Sequence, residues 1–434
     1  MAYLPNFIFA LILAYGIWFF ARNIIRLKKI IAIGRDVDLS DNKGERWKNM
    51  AMIALGQSKM VARPLSGMLH IIVYIGFIII NIEVLEIIID GIAGTHRIFS
   101  GIGPLYGVLI GVFEVFAILV FAAVIIFWTR RNISRIKRFW SPEMTKWPRN
   151  DANNILYFEM ILMGLFLVMN ATDTPFQEMN SGNWISQYIA PWFSSIDEGT
   201  LHYIERTAWW LHIIGILGFL NYLYYSKHLH ILLAFPNTYY GSLQPKGQLD
   251  NLESVTNEVK LMMDPYADPF AAPADDQEAE PGKFGASDVQ DLNWLQLMNA
   301  YTCTECGRCT SECPANQTGK KLSPRKIMMD TRDRLEEVGK AMLANNGEIV
   351  DDGKQLLDDH ISREELWACT SCNACVEACP VSINPLSIIM DMRRYLVMEQ
   401  SAAPSELNNM MTNIENNGAP WPYNQMDRLN WVKE

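Results

Sequence analysis

The stretch CTECGRCTSECP occupies residues 303–314, and CTSCNACVEACP occupies residues 369–380. Both stretches follow the pattern C-x2-C-x2-C-x3-C-P, and together they contain all eight cysteines of the chain. Three thiolates with this spacing can hold three corners of a cubane, while the fourth, before the proline, is directed to a second cubane. The pattern predicts two [4Fe-4S] clusters, with four-cysteine zinc sites as the alternative.

Each predicted cluster takes ligands from both motifs. The predicted ligands of cluster 1 are Cys303, Cys306, Cys309 and Cys379. The predicted ligands of cluster 2 are Cys369, Cys372, Cys375 and Cys313. A secreted disulfide domain would not normally confine its cysteines to two tight groups. Thiolate-ligated clusters instead suit a reducing compartment.

Helix-start signals follow both motifs. Ser323 precedes Pro324, and Asn384 precedes Pro385, which in each case pairs a capping residue with proline at the first helical position. The signals predict helices over about 325–343 and 386–399. The cysteine region is therefore expected to be an enlarged, mostly helical two-cluster domain of the ferredoxin type.

The rest of the chain divides by hydropathy. Half of the 434 residues are hydrophobic, and the formal net charge of -10 makes nucleic acid an unsuitable partner. Five apolar stretches are near or above the length that crosses a bilayer as a helix. They occupy residues 4–21, 66–89, 103–128, 153–171 and 207–234. The predicted fold is all-α, with a five-helix transmembrane bundle before the cytoplasmic two-cluster domain.

Loop charge predicts the orientation in the membrane. Residues 22–64 contain ten Lys and Arg, and residues 129–149 contain seven. The positive-inside rule therefore places both segments, and everything after about 235, in the cytoplasm, with the N-terminus outside. We expect a multi-pass protein of the bacterial inner membrane whose iron–sulfur domain is cytoplasmic.

Three longer stretches carry a family resemblance. The runs DLNWLQLMNAYTCTECGRCTSECPANQTGKKLSP (291–324) and WACTSCNACVEACPVSINPLSIIMDMRRYLV (367–397) resemble the membrane-bound iron–sulfur oxidoreductases related to heterodisulfide reductase. The run WWLHIIGILGFLNYLYYSKHLHILLAFPN (209–237) is similar to the last helix of their cytochrome b part, which is like the nitrate reductase gamma subunit. The resemblance covers nearly the whole chain.

The resemblance implies haem b, bound by histidines of the second and fifth helices. His70 begins the predicted second helix and His230 ends the fifth, so both are expected near the cytoplasmic surface as the two axial ligands. Their alternative is interfacial histidines that bind lipid headgroups. His228, beside His230, is expected to be a surface histidine.

A possible second haem would lie nearer the outer surface. His212 is eighteen residues before His230, about 27 Å along one continuous helix. Relatives with two haems have a histidine where this chain has Ile80. His96 is the substitute that we consider for that position, with His202 as the alternative.

Carboxylates within the predicted spans suggest a second functional region. Glu83, Glu86 and Glu114 lie inside apolar stretches, where ionisable groups are costly and often functional. They are candidates for a quinone pocket with a proton path. Solvation at a helix end is the alternative, and it suits Asp90 best.

These features predict four segments. Residues 1–235 form the cytochrome b-like membrane domain, 236–288 a partly disordered linker, 289–400 the two-cluster domain, and 401–434 an extension that docks a partner. The segment 264–288 is rich in Pro, Ala and Asp, which is typical of a mobile linker.

The predicted function is that of a quinone-linked oxidoreductase subunit in a respiratory chain. Electrons would pass between a soluble partner and menaquinone or ubiquinone. The partner would be an electron-transfer flavoprotein or a cysteine-rich reductase subunit, and the catalytic module is expected on a separate chain. The alternatives are a membrane subunit of a heterodisulfide or disulfide reductase complex fed by quinol, and a membrane scaffold with structural clusters.

Overall fold

The structure is a computed structural model that describes residues 3–245, 247–266 and 283–432. Within these ranges the regular elements are all helical, which confirms the all-α prediction. The α-helices of the membrane half and of the segment after it are α1 (Leu4–Ile31), α2 (Lys43–Met50), α3 (Pro64–Ala93), α4 (Pro104–Asn132), α5 (Lys146–Thr172), α6 (Thr174–Glu178), α7 (Ser186–Ile189), α8 (Glu198–Tyr222), α9 (His230–Tyr239) and α10 (Glu253–Met263).

The remaining α-helices belong to the cysteine region and the C-terminal extension. They are α11 (Trp294–Thr302), α12 (Arg308–Glu312), α13 (Pro314–Gln317), α14 (Pro324–Ala344), α15 (Leu356–Asp359), α16 (Arg363–Ala368), α17 (Ala374–Ala378), α18 (Pro385–Met398) and α19 (Ser405–Asn417). Residues 267–282 of the predicted linker lie outside the described residues, and an earlier part of that linker forms α10. Helix α19 has no buried residue.

Four helices in the described part of the chain are long and apolar enough to cross a membrane, namely α1, α3, α4 and α5. They match four of the five predicted spans in position, length and apolar character. Prolines in the first turns of α3 and α4 suit that position, because the missing N–H has no partner there in any case. Two glycines let the helices approach closely: a Cβ on Gly76 would lie 2.6 Å from Val120, and one on Gly91 would lie 2.5 Å from Phe9.

The fifth predicted span differs from the structure. The sequence predicts one helix through residue 234, but α8 ends at Tyr222, and two short 3-10 turns separate it from α9. Asp151 of α5 explains the break, because its carboxylate accepts the Tyr222 hydroxyl at 2.7 Å and the Lys227 N–H at 3.0 Å. His212 and His230 therefore lie on different helices, and the prediction of one continuous helix between them was wrong.

The cysteine region packs against one end of the membrane bundle. Arg308 donates to the Lys59 carbonyl at 3.1 Å, Arg63 donates to Ser311 at 2.6 Å, and the Asn237 amide donates to the Val381 carbonyl at 2.8 Å. The membrane-side groups come from the basic loop 22–64 and from the segment after Tyr222. The cysteine region thus contacts the end of the bundle that carries the basic loop 22–64, which the charge pattern assigns to one side of the membrane.

The predicted helix starts of the cysteine region are confirmed. Helix α14 begins at Pro324 and α18 at Pro385. The Ser323 hydroxyl accepts the Lys326 N–H, and the Asn384 side chain accepts the Ser387 N–H. Both caps satisfy backbone donors that a helix start leaves free.

Candidate redox centres

The two cysteine motifs have the same local structure. Cys303 follows α11 and Cys369 follows α16, so the first cysteine of each motif leaves the end of a helix. The loop then takes up left-handed backbone conformations, at Glu305 and Gly307 in the first motif. The last cysteine of each motif follows a helix of one turn, α12 or α17, and proline comes next.

The structure brings the cysteines together across the two motifs. Cys303, Cys306, Cys309 and Cys379 line one cavity, to which Cys375 also contributes. Cys313 instead faces Cys369 and Cys375 of the second motif. The last cysteine of each motif thus lies near cysteines of the other motif, whereas the assignment of four ligands to each cluster stays a prediction.

The environment of the thiols favours their neutral form until a metal is bound. Burial raises the pKa of Cys303 to about 12 and the pKa of Cys379 to about 11. Iron binding must therefore displace protons from these groups. Backbone N–H groups point at two sulfurs, from Ser371 to Cys369 Sγ at 3.4 Å and from Ile383 to Cys379 Sγ at 3.3 Å. Such bonds stabilise negative charge on sulfur and tune cluster potentials.

His70 and His230 lie together, although they belong to different helices. Their ring centroids are 6.5 Å apart. A metal–imidazole bond of about 2 Å on each side of one ion places two ring centroids about 6 Å apart, so this pair fits an axial pair of ligands. The His230 Nδ1–H donates to the Lys227 carbonyl at 3.1 Å, which leaves Nε2 as the ligating atom. His70 Nδ1 is buried and bonds to no group in the described ranges.

The other histidines have different surroundings. His228 is mostly buried, with its ring centroid 5.3 Å from that of His230 and its Nε2 3.9 Å from Glu159. Its assignment as a surface histidine was therefore wrong. His212 is buried and hydrogen-bonds through Nδ1 to the Leu162 carbonyl at 3.0 Å. His96 is instead half-exposed and bonds to Asp173 at 3.1 Å. His212 and His96, the two histidines considered for a second haem, therefore bond to different groups and not to each other.

Lys227 joins the two regions. Its ammonium group forms a short ion pair with Glu305, between Cys303 and Cys306, while its carbonyl accepts from His230. Arg332 binds the other Glu305 oxygen at 2.8 Å. Burial opposes ionisation of Glu305, but the two cations hold its pKa below the ordinary value. One residue thus contacts both the first cysteine loop and the histidine pair.

A second cavity, of about 420 Å³, lies at the opposite end of the bundle. Its lining includes Phe9, Glu83, Glu86, Trp209 and Trp210. Glu83 is 3% exposed, and its Oε2 has no hydrogen-bond partner among the described residues. Glu86 is satisfied, since it accepts the Phe99 N–H at 2.8 Å and the Tyr106 hydroxyl at 3.0 Å.

The remaining carboxylates have structural partners. Glu114 does not line this cavity, and it accepts the Ile185 N–H at 2.7 Å, the Ser186 N–H at 3.0 Å and the Asn170 amide at 3.0 Å. Asp90 also lines the cavity and binds loop N–H groups at the end of α3, including that of Arg97 at 2.7 Å. The structure therefore separates Glu83, which has a free oxygen, from Glu114, which anchors a loop.

Several residues of these sites escaped sequence reasoning. Arg97 is not among the predicted site residues, yet it is buried and binds Asp173 at 2.8 Å and Asn170 at 2.9 Å. Glu305 and Arg308 stand between cysteines of the first motif, which was the one available signal. The sequence gives no signal for Lys227, because its partners are distant along the chain.

Comparison with known proteins identifies the cysteine region. The model of the 4Fe-4S dicluster domain family matches residues 302–383. This match supports two [4Fe-4S] clusters over the zinc alternative, and it covers all eight cysteines. No solved structure is significantly similar to the chain.

Several curated proteins resemble longer parts of the chain. The probable iron-sulfur-binding oxidoreductase FadF of Bacillus subtilis is 28% identical over 98% of this chain, which spans 60% of FadF. The EtfAB:quinone oxidoreductase of Syntrophomonas wolfei is 25% identical over 92% of this chain, which spans 55% of that protein. A probable membrane-anchored ferredoxin of Chromohalobacter salexigens is 32% identical over 35% of this chain and 24% of its own length.

The chain spans little more than half the length of the first two relatives. Similarity over about a third of the chain extends to heterodisulfide reductase subunits, at 30% and 29% identity. The chain is thus an iron–sulfur protein with a 4Fe-4S dicluster domain and four candidate membrane spans, related to these oxidoreductases.

Proposed function

We propose that this protein relays electrons between an electron-transfer flavoprotein and membrane quinone. The observation that carries the proposal is that Lys227 binds both Glu305 of the first cysteine loop and His230 of the His70–His230 pair. Iron–sulfur clusters and haem supply one-electron carriers when bound, and the chain supplies ligands, spacing and burial.

The two cysteine sets have unequal access to solvent. Each set has two buried cysteines, Cys303 and Cys379 in the first and Cys313 and Cys375 in the second, but Cys372, the exposed one of the eight, belongs to the second set. We assign the first four predicted ligands to a cluster that faces the membrane bundle, and the other four to a cluster that faces a soluble partner. Electrons would then reach the solvent side through the second cluster.

The residues fit a haem b held by His70 and His230. The ring separation suits two axial ligands, and the Lys227 carbonyl orients the His230 ring through Nδ1. Arg308 lies between the sites, since its charge acts on Cys306, Cys379 and His70. We propose one haem at this pair. His212 also bonds to a carbonyl through Nδ1, as His230 does, but His96 is half-exposed and binds Asp173, so it does not supply His212 with a second histidine ligand.

We assign the quinone head group to the cavity at the opposite end of the bundle. The cavity offers aromatic walls at Trp209 and Trp210, and a buried carboxyl group at Glu83 that can exchange a proton with a quinone oxygen. Glu86 is already held by Tyr106 and supports the wall. Glu114 is left out of this site because its oxygens bind other groups.

The flavoprotein is favoured over a heterodisulfide as the other reactant. The match to the EtfAB:quinone oxidoreductase extends over 92% of this chain, whereas a heterodisulfide reductase chain of Methanosarcina mazei matches only 33%. The longer match includes the membrane half, where the proposed haem and quinone sites lie.

The test is anaerobic mixing of the purified protein, in lipid nanodiscs, with a reduced electron-transfer flavoprotein and then with a menaquinone analogue. The expected result is bleaching of the iron–sulfur absorbance and sharp reduced b-type bands, both reversed by the quinone. Cluster bleaching without b-type bands would remove the haem from the proposal. Failure of the quinone to reoxidise the reduced protein would remove the quinone.

A further inference from the structure

An open cavity of about 570 Å³ lies where the dicluster domain meets the membrane bundle. The first turn of α3 and the end of α4 form two walls, and Ser311 of the dicluster domain forms a third. It is separate from the cysteine cavity and from the cavity that contains Glu83. The proposed electron relay assigns it no role.

Three arginines line this cavity, namely Arg63, Arg130 and Arg138. Arg63 pairs with Glu312 at 2.9 Å, and Arg130 donates to the Ser66 hydroxyl at 3.3 Å. No carboxylate among the lining residues faces the other two guanidinium groups. Positive charge therefore accumulates at the mouth of the cavity with little compensation.

Arg138 is the least satisfied of the three. Its Nε is buried and has no hydrogen-bond partner in the described part of the chain. The side chain instead lies over the ring of Phe139, with 4.9 Å between the guanidinium carbon and the ring centroid. Burial, together with the nearby charge of Arg63, lowers the pKa of Arg138 to about 10. A buried Nε–H without a hydrogen-bond partner indicates a missing acceptor.

The Cys306 thiolate does not remove this need. Cys306 is close enough to Arg138 to offset part of its charge. However, Cys306 lines the cysteine cavity rather than this one. A cluster held by the cysteines would thus leave the open side of the arginine cavity without an anion.

We propose that this cavity binds the phosphate group of an anionic membrane lipid through Arg138 and Arg130. Guanidinium groups bind phosphate through paired, charge-assisted hydrogen bonds. Basic pockets beside transmembrane helices on the cytoplasmic side are suited to such headgroups.

The position of the cavity favours a lipid over free phosphate. The candidate spans α3 and α4 begin and end at its walls, at Pro64 and Asn132. Leu65, in the lining, is 51% exposed, and Met68 one turn further along α3 is 56% exposed. These side chains offer an apolar surface for acyl chains directly beside the arginines. Inorganic phosphate would use the arginines alone.

The test measures lipid retention by the full-length protein after extraction in detergent. Protein is incubated with equal amounts of phosphatidylglycerol and phosphatidylcholine, and bound lipid is counted by native mass spectrometry. The variants are Arg138→Gln and Arg130→Gln. Lys137→Ala is the matched control, because Lys137 is exposed, carries the same charge and does not line the cavity.

The expected result is selective retention of phosphatidylglycerol, which falls about tenfold in Arg138→Gln and remains unchanged in Lys137→Ala. Iron–sulfur absorbance in each variant verifies that the dicluster domain has folded. Equal retention by Arg138→Gln and Lys137→Ala, with the absorbance intact, would overturn the proposal. Displacement of the lipid by millimolar inorganic phosphate would instead show an anion site that does not need the acyl chains.

Discussion

The ammonium group of Lys227 pairs with the carboxylate of Glu305, which lies between the first two cysteines of the chain. Both side chains are more than nine-tenths buried. The same lysine receives the His230 Nδ1–H on its carbonyl oxygen. The pair therefore holds the first cysteine loop and the histidine pair in one arrangement across the junction of the two domains.

We predict that Lys227→Met destabilises the dicluster domain. Loss of the ammonium leaves a buried carboxylate with Arg332 as its remaining cation, and breaking a buried pair costs about 3–5 kcal/mol. The measurement is the temperature at which iron–sulfur absorbance is lost. Lys321→Met is the control, because Lys321 forms an exposed pair with Glu364. Equal midpoints for the two variants would contradict the role of Lys227.

Haem content tests the histidine pair. His70→Leu and His230→Leu should each abolish the b-type bands while both iron–sulfur signals remain. His202→Leu, at an exposed position, should leave the bands unchanged. The pyridine haemochrome assay measures the content, for which we expect one haem per chain. Two haems per chain would contradict a single haem site. They would point to His212, one helical turn from Trp209 in the cavity at the opposite end of the bundle.

The crossed cysteine sets predict which single substitutions resemble each other. Cys379→Ser should leave the same residual paramagnetic signal as Cys303→Ser, although the two residues belong to different motifs. Cys313→Ser should likewise match Cys369→Ser. Electron paramagnetic resonance of the reduced variants provides the comparison. If Cys379→Ser instead matched Cys369→Ser, each cluster would take its four ligands from one motif.

The two buried glutamates of the membrane half should respond differently. Glu83→Gln removes the unsatisfied carboxyl of the cavity at the opposite end of the bundle and should lower the rate of quinone reduction about 100-fold, with little change in stability. Glu114→Gln should instead lower the free energy of unfolding by about 1–3 kcal/mol, because an amide cannot replace all three accepted bonds. Steady-state assays and thermal unfolding separate the two effects. An unchanged rate in Glu83→Gln would exclude it as the proton carrier.

Part of this architecture follows from local sequence alone. Three-residue steps between cysteines place thiolates around one cluster, and this spacing needs no information from the rest of the chain. The four apolar stretches that form α1, α3, α4 and α5 can also be predicted from local sequence, because each is long enough to cross a bilayer. The helix starts at Pro324 and Pro385 follow from their capping residues.

The fifth apolar stretch shows where local reasoning ends. Hydropathy continued through residue 234, yet the chain leaves the helix at Tyr222. The cause is Asp151, which lies 76 positions before Lys227 in the sequence and binds its N–H. The same break buries His228, which looked like a surface residue, beside His230.

The sequence by itself therefore determined the all-α class, four spans and the two cysteine motifs, because these depend on neighbours within a few turns of chain. Only the tertiary structure decided that Lys227 binds Glu305, that Glu83 rather than Glu114 has a free oxygen, and that Arg63, Arg130 and Arg138 share a cavity. Each of these relationships joins side chains from separate helices or loops. Their charges interact only after packing has brought them together and removed water from between them.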